Sequence, residues 1–156
     1  MARLVIEVPE ELREVGEAMA AALDSLQRTM GRTGGGKALD YAAVEEALSQ
    51  DAGKIERATH RAVLQSLDID VPAVVIGGIR YTRVGRCEAP YHSQVGSVNV
   101  ERSLYRQSGK RGGQPGGRVV DPVSLRAGVV GDGWLPGTAR VMAHQVQQGT
   151  SREAEA

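Results

Sequence analysis

The sequence predicts an α+β fold: an N-terminal helical pair, a small antiparallel β-ribbon and short C-terminal helices. Three observations carry this. Apolar residues between Leu12 and Val63 recur at three- and four-residue steps, the period of amphipathic helices. Residues 74–105 instead alternate, and Gly77-Gly78 sits between two apolar runs as a hairpin turn would. Beyond residue 120, Pro122 and Pro136 each open a short apolar stretch suited to a small helix. A chain of 156 residues makes one ordinary domain or two small units. The segments read as a helical hairpin or assembly region over 1–70, a basic β-ribbon with a flexible loop over 71–118, and short helices over 119–156.

In chain order, residues 2–8 alternate enough for a short strand or an extended lead-in. Pro9 suits a first helical turn, and Glu10 and Glu11 follow where the helix dipole favours acids. Leu12, Val15, Met19, Leu23, Leu26 and Met30 then form the stripe of a five-turn helix. Gly31 and Gly34-Gly35-Gly36 end it. The run Gly34-Gly35-Gly36-Lys37 is not a phosphate loop, because a helix precedes it and Ala38 follows the lysine. Asp40 caps a second helix reaching about Leu67, with Gly53 as a weak point. His60 has no second ligand at metal-binding spacing and reads as a surface or packed histidine. Asp68 and Asp70, just before Val71-Pro72, end that helix or lead into a strand.

Strands are expected at 74–76, 79–86 and 98–105, with Pro90 and Gly96 punctuating a connection. Gln107 to Arg118 has five glycines in twelve residues and no periodicity, so it reads as a flexible basic loop. Asp121-Pro122 starts a helix, Gly131-Asp132-Gly133 breaks the chain, and Pro136 starts another helix that Gly149 stops. Thr150-Ser151-Arg152-Glu153 has the form of a capping box, announcing a helix that the last residues do not supply.

Composition excludes several classes. Aromatic residues are only 3%, with no Phe and one Trp, so the core is expected to be built mainly from Val, Leu, Ile and Ala. A single cysteine, Cys87, excludes an internal disulfide framework and a cysteine-only zinc site. No apolar run is long enough to span a bilayer and no signal peptide is evident, which points to the cytoplasm and no membrane partner. No cofactor motif is present.

The zero net charge hides a segregation. Residues 1–78 carry 8 Lys or Arg against 13 Asp or Glu, whereas residues 79–118 carry 8 against 2. Such a basic block points to an anionic partner, and double-stranded DNA fits a ribbon rich in arginine. The bland alternative is that the acidic helices neutralise the ribbon within the fold. The candidate DNA-binding residues are Arg80, Arg83, Arg86, Arg102, Arg106, Lys110 and Arg111. On a regular strand Arg80 and Arg86 share a face and Arg83 opposes them, so either one arginine is structural or the strand is bulged.

The run from His60 to Ala156 resembles the N-terminal region of ISKra-type insertion-sequence transposases. The matching stretches are HRAVLQSLDID at 60–70, VVIGGIRYTRVGR at 74–86, GSVNVERSLYR at 96–106, VDPVSLRAG at 120–128, GWLPGTARVMA at 133–143 and TSREAEA at 150–156. The resemblance implies a DNA-binding and assembly region, truncated before an RNase H-like catalytic domain whose acidic metal-binding triad would lie beyond Ala156. It implies no catalytic residue here. Relatives can carry paired cysteines around such a ribbon, suggestive of zinc, and this chain has Cys87 alone.

Three functions follow as expectations. The first is a non-catalytic DNA-binding module. The second is an oligomerisation or regulatory protein whose N-terminal helices pair with another copy or with a full-length transposase. The third, an independent enzyme, would need Asp68, Asp70, Asp121 and Asp132 to converge on a metal, since no nucleophile motif or phosphate loop is present.

Overall fold

The computed structural model describes residues 5–32, 40–107 and 119–154, with the backbone alone for residues 32 and 149–154. It is α+β, and it divides into two compact units, Met1–Ala62 and Val63–Ala156. This groups the chain differently from the three segments read in the sequence. The last turn of the second helix belongs with the sheet, because Leu64 is buried in the sheet's core.

The first unit is a helical hairpin. A 3-10 turn at Glu10–Leu12 leads into α1, Arg13–Arg32, and α2 runs Tyr41–Ser66. Residues 5–9 form no strand. A side chain on Gly16 would place its Cβ 3.1 Å from a Val8 methyl, so this glycine lets the lead-in pack on α1. Asp40 caps α2 as its sequence predicts, accepting from the Ala43 amide at 3.3 Å. The helices run antiparallel. Arg61 Nη1 reaches Glu14 Oε2 at 3.2 Å, and Ser25 hydrogen-bonds the Asp51 carboxylate further along the hairpin. Gly53 does not interrupt α2, since an isolated glycine costs a long helix only about 1 kcal/mol.

The second unit is a four-stranded antiparallel sheet in the order β1-β2-β3-β4. The strands are β1 Ala73–Ile76, β2 Ile79–Ser93, β3 Gly96–Gln107 and β4 Val119–Val120. Gly77 and Gly78 both take positive φ, 58° and 79°, which makes the tight β1–β2 turn. Pro90 lies inside β2, opposite Asn99, and not in a connection. Proline is tolerated there because β1 has ended and that edge carries no continuous ladder. The edge is instead held at His92, whose amide donates to Gly133 O at 2.8 Å and whose carbonyl accepts from Leu135 N at 3.1 Å.

The core lies on the front face of the sheet. Ala89, Tyr91, Val98 and Val100 pack there with Leu64, Val123 and Leu135. The alternation expected of β3 then changes face. Val98 and Val100 are buried, but so are Ser103 and Tyr105 on the back. The reason is the segment that follows α2, which covers the back of the ribbon. Tyr105 Oη lies within hydrogen-bond distance of the Ile69 and Val71 carbonyls, which share its one proton, and accepts from the Val71 amide, and Arg83 N reaches Pro72 O. Asp68 bonds both the amide and the hydroxyl of Ser103 at 2.9 and 3.0 Å.

Two short helices complete the unit. Asp121 caps α3, Pro122–Ala127, accepting from Ser124 N at 2.7 Å, and Gly128 ends it in the left-handed conformation. α4 spans Pro136–Ala154. It therefore runs through Gly149 and absorbs Thr150–Glu153, so Gly149 is no stop and no separate helix begins at that capping-box pattern. No helix among the described residues is long and apolar enough to cross a membrane.

Candidate nucleic-acid interface

The fold sorts the five described candidate arginines into two classes. The sorting device is a bulge in β2. Arg83 pairs with Tyr105 and Gly85 with Leu104, leaving Val84 without a partner. The extra residue inverts the alternation. Arg83 and Arg86 therefore share the back face, and Arg80 falls on the front. The strand is thus bulged, one of the two alternatives its sequence left open, and the grouping of Arg80 with Arg86 on a regular strand does not hold.

On the back face the arginines meet acids. Arg83 forms an ion pair with Asp70. Arg86 reaches Asp70 at 3.3 Å, Glu101 at 3.2 Å and Asp68 at 3.7 Å. Asp68 and Asp70 do more than end a helix, since they hold the back face together. Charge is thus neutralised inside the second unit by carboxylates beside the ribbon itself.

Arg102 sits on the front face and is also engaged. Its Nη1 contacts Asp121 Oδ2 at 2.9 Å and Ser124 Oγ at 3.2 Å. Tyr91 Oη lies 3.3 Å from Asp121 and 3.1 Å from Ser124. Burial pushes the Tyr91 phenol above its ordinary pKa, and the nearby Asp121 carboxylate adds to this. Burial works against the charge of Arg102, but Cys87, Asp121 and Tyr91 outweigh it and raise its pKa. Cys87 faces Arg102 across the strands as an electrostatic neighbour. Arg102 Nε is buried with no hydrogen-bond partner among the described residues.

This network floors a cleft of about 540 Å³ that Asp132 and Gly133 also line. A Cβ at Gly133 would come within 2.7 Å of Pro90 O, so only glycine permits the close approach. With Arg102 set against Asp121, and Asp132 nearby, the cleft does not favour an anion. Sequence reading missed Tyr91 and Ser124 in this network. The available signal was Ser124 three residues after a capping aspartate.

Arg80 and Arg106 differ. Arg80 pairs in register with Val75, and Arg106 with Thr82 and Val119. Those pairings put both on the front face as diagonal neighbours across β2 and β3. Both are exposed, and neither has an ion-pair partner among the described residues. Val75, 70% exposed, and Val119 share that face. Lys110 and Arg111 lie outside the described residues, in the segment joining Gln107 of β3 to Val119 of β4.

The four aspartates do not converge. Asp68 and Asp70 meet arginines on the back face, Asp121 caps α3, and Asp132 lies in the turn before α4. Among the described residues no group of three or more His, Cys, Asp or Glu is placed to hold a metal. His60 pairs with Glu56 at 3.6 Å along α2. No protein-family model, curated protein or solved structure matches the chain.

Proposed function

We propose that this chain is a non-catalytic DNA-binding and assembly module of a transposase-like protein, and that it grips the phosphate backbone at the β1–β2 end of its sheet. One observation carries the reading: Arg80 and Arg106 share an exposed face without acidic partners among the described residues, while the other described candidate arginines are engaged inside the fold. Unpaired guanidinium groups release counterions when they meet phosphate, which gives affinity. The Gly-rich segment with Lys110 and Arg111 leaves from the residue after Arg106, so its charges are tethered to the same sheet end. The likeness of residues 60–156 to ISKra-type transposase N-terminal regions supports the same reading.

The test is fluorescence anisotropy of the purified chain with a labelled duplex across a salt series. Binding is expected to weaken steeply with salt. Replacing Arg80 and Arg106 with alanine should lower the slope of log affinity against log salt by about 2. Affinity that is absent at low salt from a folded chain, or that salt leaves unchanged, sinks the reading.

A further inference from the structure

The helical hairpin leaves its largest apolar side chains in solvent. Among its described residues no apolar side chain is buried. On α1 the half-buried row is Val15, Ala18, Ala22, Ser25 and Thr29. The exposed row is Met19, Leu23, Leu26 and Met30, between 40% and 66% accessible. On α2 the inward row runs through Val44, Ala47, Asp51, Ile55 and Ala58, and the exposed row has the large residues Tyr41 and Leu48 followed by the small residues Ala52 and Thr59, with Glu45 and Glu56 along its outer edge.

Helix geometry joins the two exposed rows. At about 100° per residue, each lies roughly a quarter turn from its helix's inward row, in the same rotational sense. Because the helices are antiparallel, the same sense brings both rows to one side of the hairpin. The same construction puts Glu14 and Arg61 together on the opposite side, where their ion pair is found. The hairpin is thus two-sided, with one charged face and one largely apolar face that Glu45 and Glu56 of α2 border.

We infer that the apolar face is the docking surface for the hairpin of a second copy of this chain, forming a four-helix bundle. The level of the two rows, their seven-residue spacing and the area of the face point to that occupant. With Glu14 level with Arg61 and Ser25 level with Asp51, Met19 and Leu23 stand level with the Ala52–Thr59 stretch of α2. A two-fold axis parallel to the helices lays α1 of one copy over α2 of the other, so Met19 and Leu23 of one copy meet the Ala52–Thr59 stretch of the other and Leu26 meets Leu48, while Met30 comes level with Glu45. Met19 and Leu26, like Leu23 and Met30, are seven residues apart, the repeat that keeps a seam in contact along a helix pair. The contact is isologous and closes as a dimer. A 20-residue helix spans about 30 Å and two abreast about 20 Å, giving a face of about 600 Å² per copy. Two such faces bury about 1,200 Å², the lower bound for a specific interface. No charged side chain lies at the centre of the face, so it does not suit nucleic acid.

The test is sedimentation equilibrium of the full chain over a wide concentration range. The mass should rise to twice the 16.6 kDa of one chain. Leu23→Glu with Leu26→Glu should halve it, with Trp134 emission unchanged to show the sheet unit intact. Glu17→Lys, on the charged face, should leave the doubled mass. Met19→Leu with Met30→Leu should tighten association severalfold, an effect that loss of folding cannot mimic. A single-chain mass at every concentration with helical ellipticity retained means another protein, or nothing, covers the face, and overturns the inference. A doubled mass in the Leu23→Glu, Leu26→Glu variant overturns it equally.

Discussion

The Arg102 guanidinium and the Asp121 carboxylate, 2.9 Å apart, tie β3 to the N-cap of α3. Asp121 serves two masters, since its other oxygen accepts the Ser124 amide. Arg102→Ala removes the guanidinium and leaves a largely buried carboxylate with one fewer donor. The second unit should lose about 1–3 kcal/mol, read from urea denaturation followed by Trp134 fluorescence. The salt slope of DNA binding should stay as in the parent chain. A changed slope with unchanged stability would place Arg102 on the proposed DNA surface.

Tyr105, fully buried, helps hold the back face through its hydroxyl. Tyr105→Phe keeps the ring but leaves the Ile69 and Val71 carbonyls and the Val71 amide short of a partner. The expected loss is about 1–3 kcal/mol. Hydrogen exchange should show the Val71 amide opening faster. Equal stability and exchange would mean that water replaces the hydroxyl without cost.

Asp70 restrains two arginines of the basic ribbon. Asp70→Asn releases Arg83 entirely and Arg86 in part. These pairs are partly exposed, so stability should change by less than about 1 kcal/mol. DNA affinity should rise, with the salt slope steeper by about 1. Unaltered affinity would show that the back face does not approach DNA.

Asp51 should make the hairpin sensitive to acid. The Lys54 hydrogen bond, then that of Ser25, hold its pKa below the ordinary aspartate value. A lowered folded-state pKa gives stability that is present above the unfolded-state value and lost as pH falls through the folded one. Helical ellipticity should therefore soften under acidification below the ordinary aspartate range. Asp51→Asn should flatten that part of the pH profile, and a profile identical to the parent's would exclude Asp51 as the source.

Much of the fold was legible because it rests on local rules. The stripe from Leu12 to Met30, Asp40 and Asp121 as caps, and Gly77-Gly78 as a turn each follow from a few neighbouring residues. The arginines were less legible, because their roles depend on Asp68, Asp70 and Asp121, which lie far from them in sequence or across a strand. The bulge at Val84 leaves no composition signal, and it alone decides which of Arg80 and Arg83 joins Arg86. Tyr105 read as a solvent-side residue of an alternating strand, since nothing local announces that residues 69–71 will cover it.

Val84 has a bearing on how this gene tolerates length change. It is half exposed and stands outside the ladder, with Arg83 and Gly85 already matched to consecutive residues of β3. Of the 15 codons of β2, this is one whose in-frame loss leaves the cross-strand partners on both sides in place. Loss of the codon for Glu88, two residues beyond the ion-pair cluster, would instead turn every side chain upstream of it to the opposite face and separate Arg83 and Arg86 from their aspartates.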